Sequence, residues 1–292
     1  MNSVLLFTPS YTPDFERCRL LCESIDRFVT GHVRHVIAVN SEEMQLFETL
    51  AGPKRHIVNT NVFLPQWLRP LPFGLKIKGR KFWWSLRTPP VRGWHLQQLV
   101  KFGGAAAGPE DVSVILDSDT VFVRPVDIAA VVGMTPTPHI RLPDGITADL
   151  AAHPKWLAST HRLLHLPQPK LPATDYIANV IPWRRDTVRS LLARIEANTK
   201  TDWQTAILRE RAFSEYLLYG YHVASTPDEA ARHAPQSHSF AQEYWGDDAL
   251  DAAGLGRQLK QLGDQCFAIS VHSHSGTSLD LVRSLVGIPH AR

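Results

Sequence analysis

The chain has 292 residues, 44% hydrophobic and 20% charged, which suits one large α/β domain and excludes broad disorder. No run of about 18 apolar residues occurs, so no transmembrane helix is expected, and three cysteines (Cys18, Cys22, Cys266) are too few for a disulfide framework and point to a reducing cytoplasm. Net charge is only +3, yet the stretch between Glu48 and Glu110 holds ten Lys and Arg and no acidic residue, a one-sidedness that favours an anionic partner such as a diphosphate, an anionic glycan or a membrane surface.

The start, MNSVLLFTPSYTPD, lacks a basic n-region and reads as a first strand over residues 4–7, not as a signal peptide. Asp14 is a good N-cap for a helix in which Phe15, Cys18, Leu21, Cys22, Ile25 and Phe28 recur at helical spacing. Cys18 and Cys22 share one face of it, as small buried hydrophobes or, alternatively, a metal pair. Residues 32–40 are strand-like, Asn40 and Glu43 form a capping box for the next helix, and residues 55–63 make a third strand. This βαβαβ order predicts a parallel sheet.

Residues 64–93 break the rhythm with Pro, Gly, basic residues and Trp67, Phe73, Phe82, Trp83 and Trp84, and read as a long functional loop. Helical spacing returns at Trp94, Leu96, Leu99, Val100 and Phe102, with Gly103 and Gly104 near its end. Val112 to Leu116 reads as a buried central strand that delivers Asp117-Ser118-Asp119 at its carboxyl end. Further on, residues 139–142 suggest a strand, and 154–164 and 185–198 suggest helices. Residues 203–219 read as one longer helix closed by Gly220, and 266–271 as a strand running into His272-Ser-His274. The expected fold is α/β, a mostly parallel central sheet flanked by helices in a single domain.

Two carboxylates at i and i+2 repel each other, and a bound cation relieves that repulsion. A divalent metal also neutralises a diphosphate leaving group, and ligands of open parallel sheets bind outside the carboxyl ends of the strands. The plain alternative is an acidic turn closing a strand.

The segment VILDSDTVFVRP resembles the D-x-D segment of GT-A glycosyltransferases. FTPSYTPDFERCRLLCESIDRF, GWHLQQLVKFGGA and FSEYLLYGYHV resemble segments of a bacterial group of GT-A-like proteins, distantly similar to glycogenin-like enzymes. That resemblance implies a GT-A-like sheet, with residues 1–130 as the nucleotide-sugar half and 131–292 as the acceptor half. It implies Mn2+ or Mg2+ bound by Asp119, with Asp117 on the metal or the donor ribose and Ser118 among the donor-binding residues. A third ligand would be His272 or His274, since His-x-His on an extended segment aims both rings to one side. Glycogenin-like enzymes continue with Lys-Pro-Trp, whereas HSHSGTS does not.

At the end of the first strand, Tyr11 could stack on the base and Thr8 could hydrogen-bond to it. Lys101 could reach phosphate. Glu215, among aromatic neighbours, could act as general base or grip sugar hydroxyls. Asp175, near Tyr176, Asn179 and Trp183, is a second candidate carboxylate for a carbohydrate. The basic aromatic segment 67–94 could close over the diphosphate, or touch lipid headgroups to reach a lipid-linked acceptor. Nucleic acid is not expected, because the rest of the chain is acidic on balance.

The expectation is a cytoplasmic glycosyltransferase, able to sit peripherally at the inner membrane face. It would move sugar from a nucleoside diphosphate sugar to a hydroxyl of a glycan or lipid-linked acceptor, in bacterial surface glycan synthesis. Two alternatives stay open. One is a haloacid-dehalogenase-like phosphatase using Asp117 and Asp119 with a late Asp247, Asp248 and Asp251. The other is a non-catalytic carbohydrate-binding protein.

Overall fold

Six consecutive buried residues put the first strand, β1 (Val4–Pro9), at the centre of the molecule. The computed structural model describes residues 1–71, 76–77 and 80–289. Alternate side chains of β1 enter different cores, as a strand's period of two demands. Leu5 and Phe7 pack with Phe102 and Trp183, while Val4 and Leu6 pack with Leu21 and Ile25.

The chain continues through α1 (Phe15–Phe28), β2 (Arg34–Val39), β3 (Arg55–Asn59), α2 (Gly93–Ala107), β4 (Val112–Ile115) and β5 (Thr120–Phe122). Then come β6 (Ile181–Arg184), α3 (Glu215–Ala224), β7 (Ala241–Tyr244) and β8 (Ala268–Val271), with further helices between. The central sheet has the order β6-β4-β1-β2-β3. The last four strands are parallel and β6 is antiparallel to β4. The molecule is therefore a mixed α/β domain, and one sheet draws strands from both halves of the sequence. A second sheet, β5-β8-β7, lies beyond the carboxyl end of β4.

Several predicted details hold. Asn40 and Glu43 form a capping box. Cys18 and Cys22 are buried with Phe15 and Phe47 as small apolar residues, and both are free thiols. A hydrogen bond that the Cys22 thiol makes to Cys18, and then burial, hold the Cys22 pKa well above its ordinary value, the opposite of a ligand-like thiolate.

Others are corrected. Residues 64–93 are not one loop: Arg69–Pro70, Arg80–Trp84 and Val91–Arg92 pair as a small antiparallel sheet, which Lys76–Ile77 joins. Phe73 and Lys78 of that stretch lie outside the described residues. The predicted long helix over 203–219 is two, Trp203–Arg209 and α3, because Glu210 is extended and Ser214 starts a new helix by accepting the Leu217 N–H. Gly104 lies near the end of α2 as expected, whereas Gly220 does not close a helix, since α3 runs on to Ala224. A Cβ at Gly104 would sit 2.2 Å from the Phe7 ring, and one at Gly220 would sit 2.1 Å from the Tyr176 ring. Both glycines are notches for aromatic rings.

Candidate active site

The acidic triplet follows β4 directly. The Leu116 N–H still bonds the Phe7 carbonyl of β1, and the Thr120 N–H then closes a turn on the Asp117 carbonyl. The antiparallel register of β5 and β8 sets Thr120 opposite Ser270. The Ser270 hydroxyl donates to Asp119 Oδ1 at 3.1 Å, and His272, just past the end of β8, brings Nδ1 to 3.3 Å from Asp119 Oδ2. His272 Nε2 is buried and has no partner. Ser118 is also buried and donates to Ser10 Oγ at 2.9 Å, which ties the triplet to the loop after β1. Its hydroxyl serves the loop rather than an open donor cleft.

Asp117 takes a different partner. Lys101, from α2, sets its ammonium 2.9 Å from Asp117 Oδ1, 2.8 Å from Glu215 Oε1 and 2.8 Å from the Tyr216 hydroxyl. Lys101 and Glu215 are both buried. Burial opposes the ammonium charge, yet Asp117, Glu215 and Tyr216 together raise the Lys101 pKa well above its ordinary value. Burial raises that of Glu215 against the pull of Lys101. One cation thus sits between two carboxylates. Glu215 starts α3, where its own N–H donates to Gln98 Oε1. A carboxylate enclosed this way cannot meet an acceptor hydroxyl, so the expected base role gives way to a positioning one: Glu215 holds Lys101 against Asp117. Lys101, engaged on three sides, is likewise a strut rather than an exposed phosphate ligand.

Two further carboxylates complete the site, and both escaped the sequence reading. Glu243, on β7, is aligned with Ser270 of β8. It accepts the Asn179 N–H at 2.7 Å, and the Trp245 indole also hydrogen-bonds to it. Burial pushes its pKa up to about 7. Trp245, mostly exposed, lies over His272 with ring centroids 3.9 Å apart. Asp14 is positioned as the N-cap of α1 but makes no capping bond. Burial and then the charge of Asp119 push its pKa up to about 6. Burial opposes protonation of His272, but the hydrogen bond to Asp119 and the charges of Asp119, Glu243 and Asp117 raise its pKa overall. The missing cap could have flagged Asp14 only with the structure in hand. Glu243 sits in FAQEYW, where nothing marks the strand as buried.

The other expected residues fall elsewhere. Thr8 is fully buried inside the sheet and bonds His35 Nε2 at 3.0 Å. Arg55 Nε donates to His35 Nδ1, so Nε2 carries the proton and Thr8 Oγ1 accepts it. A base cannot reach Thr8. Tyr11 is 43% exposed, near Asp14 and Glu43, and remains open to a ligand. His274 stacks on His272 at 5.5 Å but turns its Nε2 toward the exposed Asp247, 3.6 Å away. The segment Ser273–Ser275 is a 3-10 turn, not extended, and that turn separates the two imidazoles' partners. Asp175 bonds the Tyr176 and Ile177 N–H groups and faces His153, making no contact with the triplet. Trp183 is wholly buried between Phe102 and Tyr219, so it offers no face to a sugar. Asp251 caps the helix Ala252–Lys260 through the Gly254 N–H. In the basic segment, Arg87 lies over the Trp67 ring and Arg92 over the Phe82 ring, which covers part of the aromatic surface from within.

Among the described residues no helix is long and apolar enough to cross a membrane. No group of three or more His, Cys, Asp or Glu converges there as a ready ligand set.

A buried, partly parallel α/β sheet with a carboxylate-rich edge defines the class of this protein. Residues 4–269 match the Family of unknown function (DUF6492), and the chain belongs to that family. No curated protein matches the sequence.

Proposed function

We propose that this protein is a metal-dependent glycosyltransferase that moves sugar from a nucleoside diphosphate sugar to a hydroxyl acceptor, a glycan or lipid-linked one. One observation carries the reading. Asp119 Oδ2 and His272 Nδ1 stand 3.3 Å apart at the carboxyl edge of the central sheet, with Asp14, Asp117 and Glu243 contributing to the surrounding field. Such a surplus of negative charge, partly withdrawn from water, favours a bound cation. Mg2+ and similar cations use one or two protein carboxylates and complete their shell with water and substrate phosphates, so a two-residue donor set fits a site finished by the substrate.

In this reading Asp119 and His272 hold Mn2+ or Mg2+, which would shield the charge of the departing diphosphate. Lys101 fixes Asp117 at the rim, and Glu215 fixes Lys101. Ser270 orients Asp119 by its hydrogen bond, and Trp245 with Glu243 brackets His272. Tyr11, at the mouth, is free to pack against the nucleotide. Of the late acidic residues named for the phosphatase alternative, Asp251 is engaged as a helix cap.

The test is thermal unfolding with UDP, GDP and their sugars, with and without Mn2+. A ligand that binds only the folded chain raises its midpoint. The expected result is a cation-dependent rise that Asp119→Asn and His272→Ala both abolish. A rise that needs no cation, or one that survives both substitutions, overturns the metal site.

A further inference from the structure

The helix that precedes a parallel strand starts at the carboxyl edge of the sheet. The first turn of α2 is therefore on the same edge as the acidic triplet, and the Gln97 amide, 3.4 Å from the Pro9 carbonyl at the end of β1, marks that edge. Trp94 lies in this turn, seven residues or about 10 Å along the helix axis from Lys101. It is 45% exposed although the helix behind it is buried.

Trp94 stacks on Trp156, with ring centroids 5.6 Å apart and planes 29° apart. Trp156 abuts His153 at 4.8 Å, and His153 Nε2 is 3.9 Å from Asp175 Oδ2. Asp175 is oriented by the Tyr176 and Ile177 N–H groups on its other oxygen. Trp94 also meets the Phe213 ring, centroids 6.2 Å apart and planes tilted by 38°, two residues before Glu215. A continuous strip thus runs from the Asp175–His153 pair, across two indoles, to the Lys101 knot.

This combination is specific in its chemistry. Indole faces are electron-rich and attract the C–H face of a sugar ring. At one end the half-buried His153 imidazole faces hydroxyls on the ring's rim, with the buried Asp175 carboxylate behind it. The His153 imidazole suits hydroxyls better than a purely apolar partner, and a phosphate or other anion would meet the Asp175 carboxylate behind it. We propose that Trp94, Trp156, His153 and Asp175 form a subsite for a neutral pyranose ring. Its role as the acceptor site rests on the transferase reading above.

The test uses the full chain and methyl glycosides of the common neutral pyranoses in both anomeric forms, with binding read by saturation-transfer NMR. At least one glycoside should bind the native protein. Trp94→Ala should weaken it about tenfold, the scale of losing one large aromatic contact, and Trp94→Phe should retain most of it. Trp94 is half exposed on a helix and alanine is the best helix former, so the variant should fold; circular dichroism checks this. Absence of transfer from every glycoside, or undiminished binding in Trp94→Ala, overturns the subsite. So does binding of phosphatidylglycerol vesicles at Trp94 in place of glycosides. The two readings fail separately. Glycoside binding that depends on Trp94, without any cation-dependent nucleotide shift, supports the subsite and removes the transferase. A nucleotide shift with no glycoside bound removes the subsite alone.

Discussion

Replacing Lys101 by Met removes the one cation that joins Asp117 to Glu215. Glu215 is then an enclosed carboxylate with no counter-charge, while Asp117, more open to solvent, can hydrate. Breaking a buried pair from one side costs about 3–5 kcal/mol. At about 2 cal/mol/K per residue, a chain of 292 residues converts that into a fall in Tm of roughly 5–8 °C. The assay is reversible urea or thermal unfolding of the native protein, Lys101→Met, and Lys101→Met with Glu215→Gln. The double variant should recover about half of the loss, because the stranded charge is gone. The pH dependence has a definite sign. Without Lys101 the folded Glu215 pKa rises further above its unfolded value, so the penalty is present at neutral pH and fades as pH falls toward the unfolded pKa of about 4.3. The gap between native protein and single variant must therefore narrow on acidification. A single variant within about 1 kcal/mol of the native protein, or a gap that ignores pH, refutes the assignment of Glu215 as the partner of Lys101.

Two other predictions concern the scaffold. Gly220→Ala pushes a methyl into the Tyr176 ring and should cost about 1–3 kcal/mol, whereas Gly256→Ala, on a helix with open space around it, should be neutral or stabilise by up to about 1 kcal/mol; equal effects in chemical denaturation would dismiss the packing-notch explanation. His139 and His222 are buried with both ring nitrogens unpartnered, and burial lowers their pKa values to about 3 and about 4. The unfolded chain protonates them first, so their stability contribution is complete above about pH 6.5. It falls below that by up to about 1.4 kcal/mol per pH unit per histidine until the folded values are reached. Urea titrations across that window should show a slope that His139→Phe reduces, and an unaltered slope would assign the acid sensitivity to other groups.

Much was legible from local pattern. The alternation of β1, the helical spacing of α1, the Asn40–Glu43 capping box and the strand before Asp117 are signals within a few residues, and short-range stereochemistry enforces them. Asp117, Asp119 and His272 could be nominated because each follows directly on an apolar strand. Gly220 misled for the opposite reason: a glycine that ends a helix and one that admits a distant ring look the same in sequence. Residues 64–93 concealed their strands because pairs as short as Val91–Arg92 exist only once a partner strand lies alongside.

What the amino-acid order alone determined is the alternating strand and helix start of the sheet and the delivery of an acidic triplet to a strand end, since both follow from neighbours along the chain. Only the tertiary structure decided which carboxylates remain open. Lys101 comes from 114 residues before Glu215 and takes both Glu215 and Asp117, Glu243 arrives on a neighbouring strand, and Thr8 turns inward to His35. The physical reason is that a charge's role depends on burial and on which opposite charge lies within a few ångströms, and those distances are set by chain segments that no local pattern relates.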